Sequence, residues 1–136
     1  MPALPEGQSF LQVAEGNFHT AALTSGGQLL AWGYNGHCQC DVPALPEGRR
    51  FLHVAAGDFH NAALTSDGQL LAWGYNDRSQ CDVPALPDGQ RFLQVAAGFA
   101  HTAALTSCGQ LLAWGWNGEG QCDVPGLPEG KRFLGQ

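Results

Sequence analysis

The chain has 136 residues, 44% hydrophobic and 13% charged, and six Lys and Arg against twelve Asp and Glu leave a net charge of −6. That length supports one core rather than two ordinary domains, the apolar content excludes charge-driven disorder, and the scarcity of cations excludes a phosphate-binding footprint for DNA or RNA. Nineteen Gly and eight Pro favour an all-β fold over helices.

Met1 to Gly7 carries no basic or long apolar segment, and nowhere do about 18 apolar residues run together. The expectation is a soluble, cytoplasmic or nucleocytoplasmic protein with no membrane partner. The sequence repeats without insertion at a period of 41: Ala3 to Pro43, Ala44 to Pro84 and Ala85 to Pro125 are three copies, and Gly126 to Gln136 begins a fourth. A period near 40 marks a repeat unit that buries its apolar face only against neighbours, so residues 1–136 are read as a single repeat domain.

Each copy reads as strand, turn, strand, turn, strand. In the second, Arg50 to Ala55 is a first strand, Gly57-Asp58 a turn and His60 to Thr65 a second strand. Ser66-Asp67-Gly68 supplies a hairpin turn, because Gly tolerates the positive φ that tight hairpins need. Gln69 to Gly74 is a third strand, and Cys81-Asp82-Val83 is a candidate short fourth strand ended by Pro84. Runs such as Leu70-Leu71-Ala72-Trp73 do not alternate with polar residues, so both faces of each small sheet are expected to be covered. The fold class that follows is a partial β-propeller: three antiparallel blades of three to four strands, plus a fragment of a fourth.

Neither the Trp-Asp nor the kelch signature is present. The pattern Val-Ala-Ala-Gly-x-x-His-x-Ala-Ala-Leu-Thr-Ser-x-Gly-Gln-Leu-Leu-Ala-Trp-Gly-x-Asn-x-x-x-Gln runs from Val54 to Gln80, with close copies at Val13 to Gln39 and Val95 to Gln121. It resembles the regulator of chromosome condensation repeat over nearly the whole chain. The resemblance implies a propeller, usually of seven blades. It also implies one of several roles: exchange factor for the small GTPase Ran, regulatory domain of a HECT-type ubiquitin ligase, plant light receptor, or bacterial β-lactamase inhibitor. The inhibitor shares the loop form Asn-x-x-x-Gln-x-x-Val-Pro. Three copies and a fragment do not close a seven-blade ring, so the expectation is either a piece of a longer propeller or a homo-oligomer joined through open blade edges.

Residues that recur in every copy read as architecture. His19, His60 and His101 open the second strands, where a ring nitrogen can bond a neighbouring backbone carbonyl; they are taken as structural rather than as a metal ring. Trp32, Trp73 and Trp114 are taken as core, each indole N–H bonded to backbone. Asp41, Asp82 and Asp123 are expected to bond loop backbone, and Ser25, Ser66 and Ser107 to form turns rather than act as nucleophiles. Cys40, Cys81 and Cys122 recur, Cys38 and Cys108 do not, and all five are expected to be free thiols, with Cys108 exposed at a hairpin tip. No catalytic set, metal site or cofactor site is assigned, so the chain is read as a non-enzyme.

Binding is read from the positions where copies differ. Phe18, Phe59 and Phe99, with Tyr34, Tyr75 and Trp116, make an aromatic-studded rim for a protein partner, joined by the variable charges Arg49, Arg78 and Glu119. The expected function is a non-catalytic protein-interaction module. The alternatives are a regulatory part in small-GTPase exchange or a HECT-type ligase system, or a propeller-type enzyme inhibitor.

Overall fold

The computed structural model of the chain describes residues 7–16, 18–45, 47–87, 89–117 and 122. Nine strands run in order: β1 (Phe10–Glu15), β2 (His19–Thr24), β3 (Leu29–Gly33), β4 (Phe51–Ala56), β5 (His60–Thr65), β6 (Leu70–Gly74), β7 (Phe92–Ala97), β8 (His101–Thr106) and β9 (Leu111–Gly115). They form three separate antiparallel sheets, ordered β1-β2-β3, β4-β5-β6 and β7-β8-β9. The register repeats from sheet to sheet: His19, His60 and His101 face Gly33, Gly74 and Gly115.

The hairpins between second and third strands close as their sequence requires. In the middle sheet Thr65 N donates to Gln69 O at 3.0 Å and Gly68 N to Thr65 O at 3.0 Å, with Gly68 at φ +82° in the left-handed region that a side chain would strain. The turn between first and second strands needs glycine for another reason. A Cβ on Gly57 would collide with the carbonyl oxygen of Gly98 in the next sheet and with the ring of His60. Successive sheets therefore meet backbone to backbone at this end.

Apolar residues are buried between sheets rather than within one. Phe51 and Val54 on β4, with Ala63 on β5, pack against Ala21, Leu23 and Leu29 of the first sheet. Phe92 and Ala104 of the third sheet pack in the same way against Ala62, Leu64 and Leu70 of the second. Burying a Phe or a Leu stabilises by roughly 1.5–3 kcal/mol, so each sheet is held by the next.

Two expectations are corrected. Cys81-Asp82-Val83 forms no fourth strand, because its donors are spent locally: Cys81 N bonds Asn76 Oδ1 at 2.7 Å, Asp82 N bonds Ser79 O at 3.1 Å and Val83 N bonds Cys81 O at 3.1 Å. The described blades are three-stranded. Nor is every sheet covered on both faces: β5 is buried along its whole length, but β1 alternates and leaves Leu11 65% and Val13 59% exposed. Its equivalent Val54 is 4% exposed because the first sheet lies over it, whereas no described residue covers Val13.

Candidate functional site

Strand direction sorts the variable positions into two ends. Phe18 and Phe59 lie in the turns before β2 and β5, while Tyr34, Tyr75 and Trp116 directly follow β3, β6 and β9. Phe18 O accepts from Tyr34 N at 2.8 Å, Phe59 O from Tyr75 N at 2.9 Å and Ala100 O from Trp116 N at 2.9 Å, so turn and strand exit are joined at one end of every sheet. The rings of Phe18 and Phe59 stack with centroids 4.8 Å apart and planes 4° from parallel, across the gap between sheets one and two. Tyr34 meets both edge-on, at 6.3 and 5.9 Å, and Tyr75 meets Phe59 at 6.2 Å. Phe18, Tyr34 and Phe99 are at least half exposed.

Two residues of this end carry no flag as binding residues in the sequence. His37, from the loop after β3, wedges against Phe59 at 5.0 Å and Tyr75 at 4.4 Å. Ala100 occupies the place held by Phe18 and Phe59 in the other copies, and Phe99 stands one position earlier, edge-on to Trp116 at 6.1 Å. The signal for both was that each breaks the repeat at a position otherwise filled by a charge or a ring.

The expected charges separate. Arg78 is at the aromatic end, its Nε 3.9 Å from Asp77. Arg49 is at the opposite end of the second sheet, where it pairs at 3.0 Å with Asp67 of the β5–β6 hairpin. Glu119 lies outside the described residues.

Beneath the rim the repeated polar residues tie sheet to sheet. His19 Nε2 is 2.8 Å from Asn61 Oδ1, an acceptor, so His19 carries its proton on Nε2. Asn61 Nδ2 donates to Gln39 O at 2.5 Å, and Trp73 Nε1 donates to the same carbonyl at 3.2 Å. One copy later, Thr102 Oγ1 donates to Gln80 O at 2.8 Å and is bonded to His60 Nε2 at 3.0 Å, and Trp114 Nε1 bonds Gln80 O at 3.0 Å. The Asn-x-x-x-Gln loop thus delivers a carbonyl beneath the next sheet, where a half-buried indole and a buried polar side chain converge on it. Backbone partners for Trp73 and Trp114 match expectation; His19 and His60 bond side chains one copy on, Asn61 and Thr102, and His60 also has a backbone hydrogen bond with His101. Desolvation, reinforced by the nearby His101 and His19 and opposed by a backbone hydrogen bond, pushes the His60 pKa down to about 4.

The loop carboxylates also differ from expectation. Asp41 and Asp82 accept from Asn35 and Asn76 Nδ2, at 3.0 and 2.8 Å, rather than from loop backbone; Asp123 lies outside the described residues. None of the five cysteines is joined in a disulfide. Cys40, Cys81 and Cys122 donate their thiols to the carbonyls of Tyr34, Tyr75 and Trp116 at 3.4 Å, holding the rim-bearing strand exits. Burial first, and then the neighbouring Asp82, push the Cys81 thiol up to about 11. The hydroxyls of Ser25, Ser66 and Ser107 accept the backbone N–H of Ser9, Arg50 and Arg91 at 3.0–3.1 Å, at the end opposite the histidines. Among the described residues no three His, Cys, Asp or Glu side chains gather into a metal-binding group, and no helix is long and apolar enough to cross a membrane.

At the aromatic end a cavity of about 270 Å³ opens beside Phe59, walled by the rings of His37, Phe59, Tyr75 and Phe99, with Asp77, Arg78, Gln80 and Ala100 also lining it.

Residues 10–39, 51–80 and 92–121 each match the family described as Regulator of chromosome condensation (RCC1) repeat. Comparison with curated proteins gives no match. Among solved structures the chain is similar to Prp20p from Saccharomyces cerevisiae, with TM-score 0.76 and 28% identity over 94% of this chain and 36% of that one. It is also similar to human WBSCR16, with TM-score 0.71 and 22% identity over 88% and 37% of the two chains. A third likeness is to the CRINKLY WD40 ectodomain of the Arabidopsis thaliana receptor kinase ACR4, with TM-score 0.68 and 24% identity over 95% and 45%. The last two speak to the fold alone. The three sheets are open, unclosed β-propeller blades, and the chain spans little more than a third of the length of Prp20p.

Proposed function

We propose that this chain, which belongs to the regulator of chromosome condensation (RCC1) repeat family, is a non-catalytic module that binds a protein partner through its aromatic rim. The observation that carries this reading is the continuous set of ring contacts from Phe18 through Tyr34, His37 and Phe59 to Tyr75, with Phe18 51%, Tyr34 50% and Phe99 60% exposed. Contiguous exposed aromatic surface of this kind anchors protein interfaces. The non-catalytic reading draws support from the serine hydroxyls, which are engaged at the end away from the histidines. A protein partner also fits the similar Prp20p, described with its binding to Gsp1p and histones and as bound to Kap60.

Photo-crosslinking tests the rim. Phe18→p-benzoylphenylalanine and Phe99→p-benzoylphenylalanine should each capture a partner polypeptide that Arg49→p-benzoylphenylalanine, at the opposite end, does not. Equal capture from all three sites, or none from the rim sites, refutes the reading. The likeness to Prp20p favours a second reading, a part in small-GTPase nucleotide exchange, which a nucleotide-release assay with a Ran-like GTPase decides. The exposed Leu11 and Val13 face is a further surface, covered either by more of the same polypeptide or by a second copy. Light scattering on the chain tests the second: a mass of 14.4 kDa, that of one chain, at high concentration excludes the copy.

A further inference from the structure

The aromatic end is built as a stack that stops one ring early. Phe18 lies face to face on Phe59 at 4.8 Å across the first gap between blades. The next place in that series is filled by Ala100, whose backbone makes the same bond to the following strand exit as Phe18 and Phe59 make to theirs. The missing ring is not replaced from elsewhere: Phe99 is turned to Trp116, 60% exposed. Across the first gap His37 packs on Phe59 and Tyr75; across the second, the loop residue in that place is Arg78, whose guanidinium lies by Asp77. The cavity of about 270 Å³ opens where the third ring would stand, large enough for one aromatic side chain and too small for most whole ligands.

We propose that this cavity is the socket for a single aromatic side chain of the partner protein, which stacks on Phe59 as Phe18 does from the other side and completes the series at Ala100. The inference rests on the protein-interaction reading and names the anchor that reading lacks. An aliphatic ammonium is the competing occupant, since the rings of His37, Phe59, Tyr75 and Phe99 line the site. Asp77 and Arg78 stand together at the cavity with opposite charges, leaving no net charge to recruit a cation. Their polar atoms suit the hydroxyl of a Tyr or the indole N–H of a Trp.

The test uses p-cresol as the probe, with cyclohexanol as the aliphatic control, and follows by NMR the backbone amide resonance of position 100, which wild type and variants all retain, in the whole chain. The expected result is a saturable p-cresol shift at Ala100, with affinity about fivefold or more above that for cyclohexanol. Ala100→Phe, which restores the repeat residue, should abolish it and raise Tm. Ala100→Leu fills the same space without a ring and should abolish it too, which keeps the test sound should the Phe variant misfold. No saturable shift at Ala100, equal response to cyclohexanol, or a response that survives in both variants overturns the proposal. The titration does not depend on the cross-linking experiment, so failure of the socket and failure of the rim reading are seen separately.

Discussion

Acidification should destabilise the chain through one buried ring. His60 has no exposed surface, and its Nε2 bonds Thr102. Desolvation, with the charges of His101 and His19 adding to it, lowers its pKa from 6.5 to about 4. Above pH 6.5 the ring is neutral in folded and unfolded chains alike, and stability is undiminished. Between 6.5 and about 4 the unfolded chain holds a proton that the folded chain refuses, so stability falls by about 1.4 kcal/mol per pH unit and levels off below. At about pH 5 the loss is about 2 kcal/mol, out of about 3 kcal/mol for the whole shift. Urea unfolding at about pH 7.5 and about pH 5, on the wild type and on His60→Gln, isolates this contribution, because the Gln amide still donates toward Thr102 without titrating. The wild type should lose about 2 kcal/mol more than the variant across that interval. Equal losses would refute the reasoning, since every other group titrates in both proteins.

The packing between blades makes a second prediction: Phe51→Ala, at a ring 5% exposed in the core between the first two sheets, should cost about 3–5 kcal/mol. Amide exchange should quicken most in β1 to β3 and β4, and least in β7 to β9; uniform quickening would show that the blades do not couple pairwise. Thiol chemistry gives a third. Alkylation at about pH 8, read by peptide mass spectrometry, should modify the exposed Cys38 and Cys108 first and Cys81 only on unfolding, since burial and Asp82 hold Cys81 near 11 and its thiol is bonded to Tyr75 O. Labelling of Cys81 as fast as Cys108 would contradict its half-buried, hydrogen-bonded placement.

The fold was legible because its instructions are local and written three times. Gly68 at a hairpin tip, Leu-Leu-Ala-Trp-Gly as a strand and Gly57 where the turn meets its neighbour each act within a few residues, and the period of 41 carries them to the next blade. The fourth strand was misread because residues before a proline look the same whether their N–H groups join a ladder or a local turn; only the bond from Cys81 N–H back to Asn76 Oδ1, five residues earlier, decides it. The histidine partners were missed for the same reason at longer range. His19 to Asn61 spans 42 residues, one more than the period, because the bond leaves one blade for the next. The rim was legible as a set of variable aromatic positions but not as a geometry. Arg49 and Arg78 look alike in sequence, and only strand direction puts one at the hairpin tips and the other at the strand exits. Repetition makes the framework readable from a single copy, so information about binding is left to the places where copies disagree. Ala100, where a ring is withdrawn from a stack the other two copies build, is the sharpest of those disagreements and leaves a physical trace, an open cavity beside Phe59.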